Sequence, residues 1–192
     1  MRKPLAVLAT LAVCLTFGLA PAFAVGIAGT KHDLSTAGYG STELCVFCHD
    51  SHGALASTSG PMWNHKATTA VYTLYGGGVT SKGTVVNTPG PASMSCLSCH
   101  DGTVAVDSFG GATGTHLMTG VNLVNTDLRD DHPIGVAYPA TGTAYKMPPT
   151  TAALFNNRVE CASCHNSHDN TYGKFLRMSN AGSLLCLNCH SK

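Results

Sequence analysis

Charge is scarce in this sequence. Asp, Glu, Lys and Arg make up 11% of its 192 residues, against a usual share of about a quarter. A soluble monomer ordinarily carries more charge on its surface than this. No basic stripe is present to hold nucleic acid. After the first 24 residues, nine Lys and Arg stand against ten Asp and Glu, a net charge of −1. Sustained helical periodicity is also missing: the 21 glycines and abundant Thr, Ser and Ala point to loops. Beyond the first residues no apolar run is long enough to cross a membrane. Such a chain is loop-rich and short of a conventional core, so something other than side chains must fill its interior.

The one long apolar run lies at the start. Arg2 and Lys3 precede Leu5 to Leu19, a stretch broken only by Thr10, Cys14, Thr16 and Gly18, and Ala22-Phe23-Ala24 follows. A basic start, a short apolar segment and small residues at the cleavage positions form a secretory signal over residues 1–24. The run is short for a membrane anchor. Cys14 leaves with the signal, and residues 25–192 form the expected exported domain, with eight cysteines.

All eight fall into one pattern. Cys45-Val46-Phe47-Cys48-His49, Cys96-Leu97-Ser98-Cys99-His100, Cys161-Ala162-Ser163-Cys164-His165 and Cys186-Leu187-Asn188-Cys189-His190 are four copies of C-x-x-C-H, the attachment signature of c-type haem. Two cysteines three apart can bond the two vinyl groups of one porphyrin, and the adjacent His supplies the proximal nitrogen to its iron. Disulfides or Cys₄ zinc sites would use C-x-x-C pairs as well, but neither explains a His after every second Cys. Four covalent haems are therefore expected, with His49, His100, His165 and His190 as proximal ligands.

The copies are themselves arranged twice. Cys48-His49-Asp50-Ser51-His52 is echoed by Cys164-His165-Asn166-Ser167-His168, and each is followed by a C-L-x-C-H copy. This suggests two related two-haem halves, about residues 25–110 and 111–192. Short helices are expected around each motif. Thr69 to Tyr75 and Val121 to Leu128 have weak strand character.

Sixth ligands must come from elsewhere. Six further histidines remain: His32, His52, His65, His116, His132 and His168. Met62, Met94, Met118, Met147 and Met178 are the thioether alternatives, which would raise the potential. Histidine is in surplus, so two histidines per iron are expected, with low potentials. His52 and His168 stand three residues after a proximal His, too close to reach over their own haem, so each should serve a neighbouring one. His116, in a Gly- and Thr-rich loop, is the weakest candidate. An iron with two histidines has no open position for a substrate, so the expected role is electron transfer and not catalysis.

Taken in order, several stretches resemble the exported multihaem cytochromes with doubled CXXCH motifs, and most resemble the tetrahaem subunits of extracellular cytochrome filaments. They are K-H-D-L-S from Lys31, C-V-F-C-H-D-S-H-G, W-N-H from Trp63, C-L-S-C-H-D-G-T, D-H-P-I-G from Asp131, C-A-S-C-H-N-S-H-D, and F-L-R-M-S-N from Phe175 leading into C-L-N-C-H. The chain departs from many relatives in having Ser51 and Ser167 where they have Pro. The resemblance implies a mostly irregular fold with short helices and minimal strand, cored by four haems. It marks His32, His52, His65, His132 and His168 as candidate distal ligands. It also implies assembly with further copies of the chain, His52 completing the last haem of a neighbour, and exchange of electrons with other redox proteins or extracellular acceptors. A cell-surface or extracellular location follows in preference to the periplasm. A monomeric periplasmic shuttle is the alternative reading, and a haem reductase with one open iron a more distant one.

Overall fold

The computed structural model describes residues 26–52, 62–80, 84–139, 144–146 and 153–191. The expected export signal lies outside the described residues. In chain order the elements are 3-10 turns at Leu34–Thr36 and Tyr75–Gly77, helix α1 at Pro91–His100 and a 3-10 turn at Gly120–Asn122. Strands β1 at Val136–Ala137 and β2 at Arg158–Val159 follow, then helix α2 at Cys161–Cys164, a 3-10 turn at Ala181–Ser183 and helix α3 at Leu184–Cys189. The two strands pair antiparallel, Val136 opposite Val159 and Ala137 opposite Arg158. The chain is thus mostly irregular, as its glycine content and lack of helical period imply. Among the described residues no helix is long and apolar enough to cross a membrane.

Helix α1 begins where local chemistry favours it. Gly90 is extended at the N-cap and Pro91 occupies the first turn, where its missing N–H is no loss. Three of the four C-x-x-C-H copies lie at α1, α2 and α3. The first forms only a single turn, closed by the His49 amide donating to Cys45 O at 2.8 Å. Neither expected strand forms. Segments 69–75 and 121–128 meet at one parallel bridge, Thr73 to Asp127. Gly120–Asn122 winds into a 3-10 turn, Asn125 takes φ 62°, and the Val124 amide donates to His100 O at 2.8 Å. This backbone wraps the end of α1 and cannot also extend into a ladder.

Apolar packing is modest. Phe47, inside the first motif, is 1% exposed and meets Phe109 edge-on at 4.6 Å. Leu97, Val104, Ala105, Val106 and Leu128 are also buried, as are Val86 and Tyr138 beside the small sheet.

The duplication is visible as repeated hydrogen bonding. In one half the Asp50 amide donates to Met62 O and the Asn64 amide to Cys48 O; in the other, Asn166 donates to Phe175 O and Arg177 to Cys164 O. The side chains of the returning segment match too. Asn64 Nδ2 donates to Val46 O at 2.7 Å, and Arg177 Nε to Ala162 O at 2.6 Å. The amides of His52 and His168 close the same turn, onto the side chains of Asp50 and Asn166. Asp50 to Met62 spans twelve residues and Asn166 to Phe175 nine, so the first return loop is three residues longer.

Gly135 fixes the approach of the sheet to residue 87. It has φ +72°, and a Cβ there would lie 2.2 Å from Asn87 O. Gly135→Ala is expected to destabilise the protein by about 1–3 kcal/mol from backbone strain, with the clash adding to it, measured as a lowered thermal midpoint.

Candidate haem sites

Each C-x-x-C-H copy presents its three reactive side chains together. In α1, Cys96, Cys99 and His100 are spaced i, i+3 and i+4 and so share a helical face. In the shorter helices α2 and α3 the two cysteines lie one turn apart. His165 and His190 follow as extended C-caps, at φ −111°, ψ 145° and φ −91°, ψ 135°. Among the described residues none of the eight motif cysteines is paired in a disulfide. Burial pushes the Cys48 thiol up to about 11, and burial with the nearby Cys48 pushes Cys99 up to about 12. Among the described residues no three His, Cys, Asp or Glu side chains gather closely enough to hold a metal ion. The donors come instead as two sulfurs and one imidazole, the set that a covalent haem takes and a four-ligand zinc cage does not.

Backbone carbonyls orient the imidazoles. His100 Nδ1 lies 2.8 Å from Asn122 O, His165 Nδ1 2.9 Å from Lys174 O and His132 Nδ1 3.0 Å from Pro133 O. A neutral ring that donates through Nδ1 keeps the lone pair on Nε2 free for a metal. His49 departs from this pattern: its Nδ1 is buried without a partner, as is the Trp63 indole nitrogen. The two rings are edge-to-face at 6.2 Å. The Trp63 indole, a buried donor lacking an acceptor beside a C-x-x-C-H turn, suits a group that carries carboxylates, as haem does. A cleft of about 470 Å³ opens there, lined in part by Cys45, His49, Asp50 and Met62.

Three of the four motif histidines face a second histidine. The ring centres of His32 and His100 are 6.1 Å apart, those of His49 and His168 6.0 Å and those of His132 and His190 6.3 Å. Two imidazoles on opposite sides of one metal ion, with nitrogen bonds of roughly 2 Å, place their ring centres about 6 Å apart. The residues present therefore fit a porphyrin iron at these three motifs. His32 is further held by stacking on Phe175 at 4.2 Å, and burial, aided by His100, lowers its pKa and keeps the ring neutral.

The remaining candidates are placed differently. Among the described residues no imidazole faces His165 at this spacing. His52 is exposed and faces no ring at this spacing either. His65 is almost fully buried, with Nδ1 3.0 Å from Lys66 O and Nε2 3.0 Å from Ala105 O. Burial holds its pKa down, so the neutral ring can donate to only one of these carbonyls. His116, which matches no repeated motif, pairs with Asp107 at 2.8 Å and packs on Tyr39. The sequence reading missed Asn64, Arg177 and Trp63 as supports of the motifs. Their contacts join residues 13 to 18 positions apart, and the signals that contained them were the W-N-H and F-L-R-M-S-N stretches.

Residues 153–192 match the doubled CXXCH motif, which covers the third and fourth C-x-x-C-H copies. No curated protein matches the chain. With the four copies and their oriented histidines, the motif supports a c-type cytochrome of the multihaem kind, a binder of covalent haem that transfers electrons.

The two equivalent side-chain bonds give a test of these supports. Asn64 is buried and Arg177 only partly so. Asn64→Ala is expected to cost about 1–3 kcal/mol because it removes a buried side chain and the hydrogen bond it donates to the Val46 carbonyl, and Arg177→Ala less, as compared by denaturant unfolding.

Proposed function

We propose that the chain is an exported tetrahaem cytochrome with two histidines on every iron, and that it conducts electrons as a subunit of an extracellular filament. The proximal ligands are His49, His100, His165 and His190. Within the chain their distal partners are His168, His32 and His132 for the first, second and fourth motifs. Cys45, Cys48, Cys96, Cys99, Cys161, Cys164, Cys186 and Cys189 form the thioether bonds. When bound, each haem supplies a one-electron Fe(III)/Fe(II) couple, with a potential kept low by paired imidazoles. The protein's part is to hold ring orientation through backbone carbonyls, to keep the His32 ring neutral by burial, and to close both axial positions.

The observation that carries the filament reading is the mismatch left over. Among the described residues His165 has no facing imidazole, and His52 is exposed without one. The duplication relates them: His52 corresponds to His168, and His165 to His49. What His168 does for His49 within one chain, His52 does for His165 of the next. His65 then serves as a buried, hydrogen-bonded ring and not as a ligand. Scarce surface charge is in keeping with a surface covered by neighbouring copies.

The test is negative-stain microscopy of native material, with a pyridine haemochrome assay and an absorption spectrum. Four haems per chain, thin filaments and a wholly low-spin spectrum are expected. His52→Ala should give discrete particles with one high-spin haem, whereas His65→Gln should leave every haem low-spin. Discrete wild-type particles with a wholly low-spin spectrum would favour the monomeric shuttle. A high-spin component in intact wild-type protein would instead favour an open iron at the third motif, and with it a reductase.

A further inference from the structure

Glu160 is the most deeply buried acidic side chain, at 2% exposure, and it lies where the two halves of the chain join. Its carboxylate accepts the Gly90 amide at 3.1 and 3.0 Å and the Ser93 hydroxyl, so it caps α1 from 70 residues away. It also closes a capping box on α2 with Ser163, and the Ser163 hydroxyl accepts the Glu160 amide at 2.9 Å. Ser93 Oγ accepts the Cys161 amide at 2.8 Å, binding the two helices to each other. Cys96 and Cys161, attachment points of the second and third motifs, are carried on the two helices joined in this way.

Every group around this carboxylate is a donor, the pattern of an acceptor-only ionised side chain. One cation opposes it. Arg158 Nε stands 3.6 Å from Oε1, but its guanidinium is committed to Gly135 O and Thr88 O. Gly90 permits the contact: a Cβ there would lie 2.7 Å from Glu160 Oε1. Water does not screen a charge held at such depth as it screens a surface charge.

We infer that Glu160 is a positioning and tuning residue: a fixed negative charge at the joint of α1 and α2 that lowers the reduction potentials of the haems on the second and third motifs. The inference rests on the haem reading above. The physical cause is simple. Reduction removes a positive charge from the iron, and a buried anion nearby favours the state with more positive charge. A helix cap alone would need only Asp, Asn or Ser at the local N-cap position. This chain instead brings an acid across from the other half and seats it between two attachment points.

The experiment is potentiometric titration of the holoprotein, followed at the haem absorption bands, for wild type, Glu160→Gln and Arg158→Gln. Glu160→Gln is expected to move two of the macroscopic potentials positive and to leave the others in place. Arg158→Gln removes the opposing charge from a partly exposed site and should move the same two negative, which keeps the test open if Glu160→Gln does not mature. Gly90→Ala, which displaces the carboxylate without removing its charge, should lower stability while keeping the potentials closer to wild type. Opposite shifts in the two charge variants support the inference. Potentials unmoved in Arg158→Gln and in any Glu160→Gln that matures, with stability alone reduced, would overturn it. A chain that carries no haem in the pyridine assay would refute the underlying reading instead, so the two failures are distinct.

Discussion

A histidine ring has a direction only when one of its two nitrogens is tied down. In this protein the ties are backbone carbonyls: Asn122 for His100, Lys174 for His165 and Pro133 for His132. A carbonyl engaged in a helix or a ladder has little left to offer a side chain, whereas one in a loop is free to accept. The irregular backbone is thus part of how the site is built. Where segment 121–128 could have extended, it curls so that a carbonyl meets His100 Nδ1 and an amide meets His100 O. A ladder there would have satisfied the backbone and left the ring loose.

The two halves apply one solution to two different surroundings. Each folds its C-x-x-C-H turn back on a returning segment through the same three amide and side-chain bonds, but the returning residue is Asn64 in one half and Arg177 in the other. Asn is short and suits the tighter, buried setting beside Phe47 and Phe109. Arg reaches the equivalent carbonyl from a more open position. The same economy appears at the joint between halves, where Glu160 serves as cap for a helix of the other half and for its own.

What could be read from the sequence was whatever is local. The four C-x-x-C-H copies bind by side chains within five residues, and loop-richness follows from glycine content, so both were legible. The Asx turns before His52 and His168 follow from Asp50 and Asn166 in the same way. Partner choice among histidines was not legible, because His32 and His100, or His49 and His168, meet across 68 and 119 positions of chain, and no local pattern encodes such a meeting. The weak strand at 121–128 failed for a related reason: its residues tolerate extension, but the distant His100 ring claimed the Asn122 carbonyl, and 69–75 was left with a single bridge to it. Glu160 reads as an ordinary acid before a cysteine until Gly90 and Ser93 are seen around it.

Burial of the cysteines has a consequence in time. In the folded arrangement the Cys48 and Cys99 thiols ionise only far above neutral pH, and a protonated thiol is a poor nucleophile. Closure of the chain would blunt these two thiols while Cys45 and Cys186 stay exposed. At Cys48 and Cys99, then, a covalent bond forms more readily before this part of the chain closes than after it. The order in which loops settle would decide which attachment points stay within reach longest.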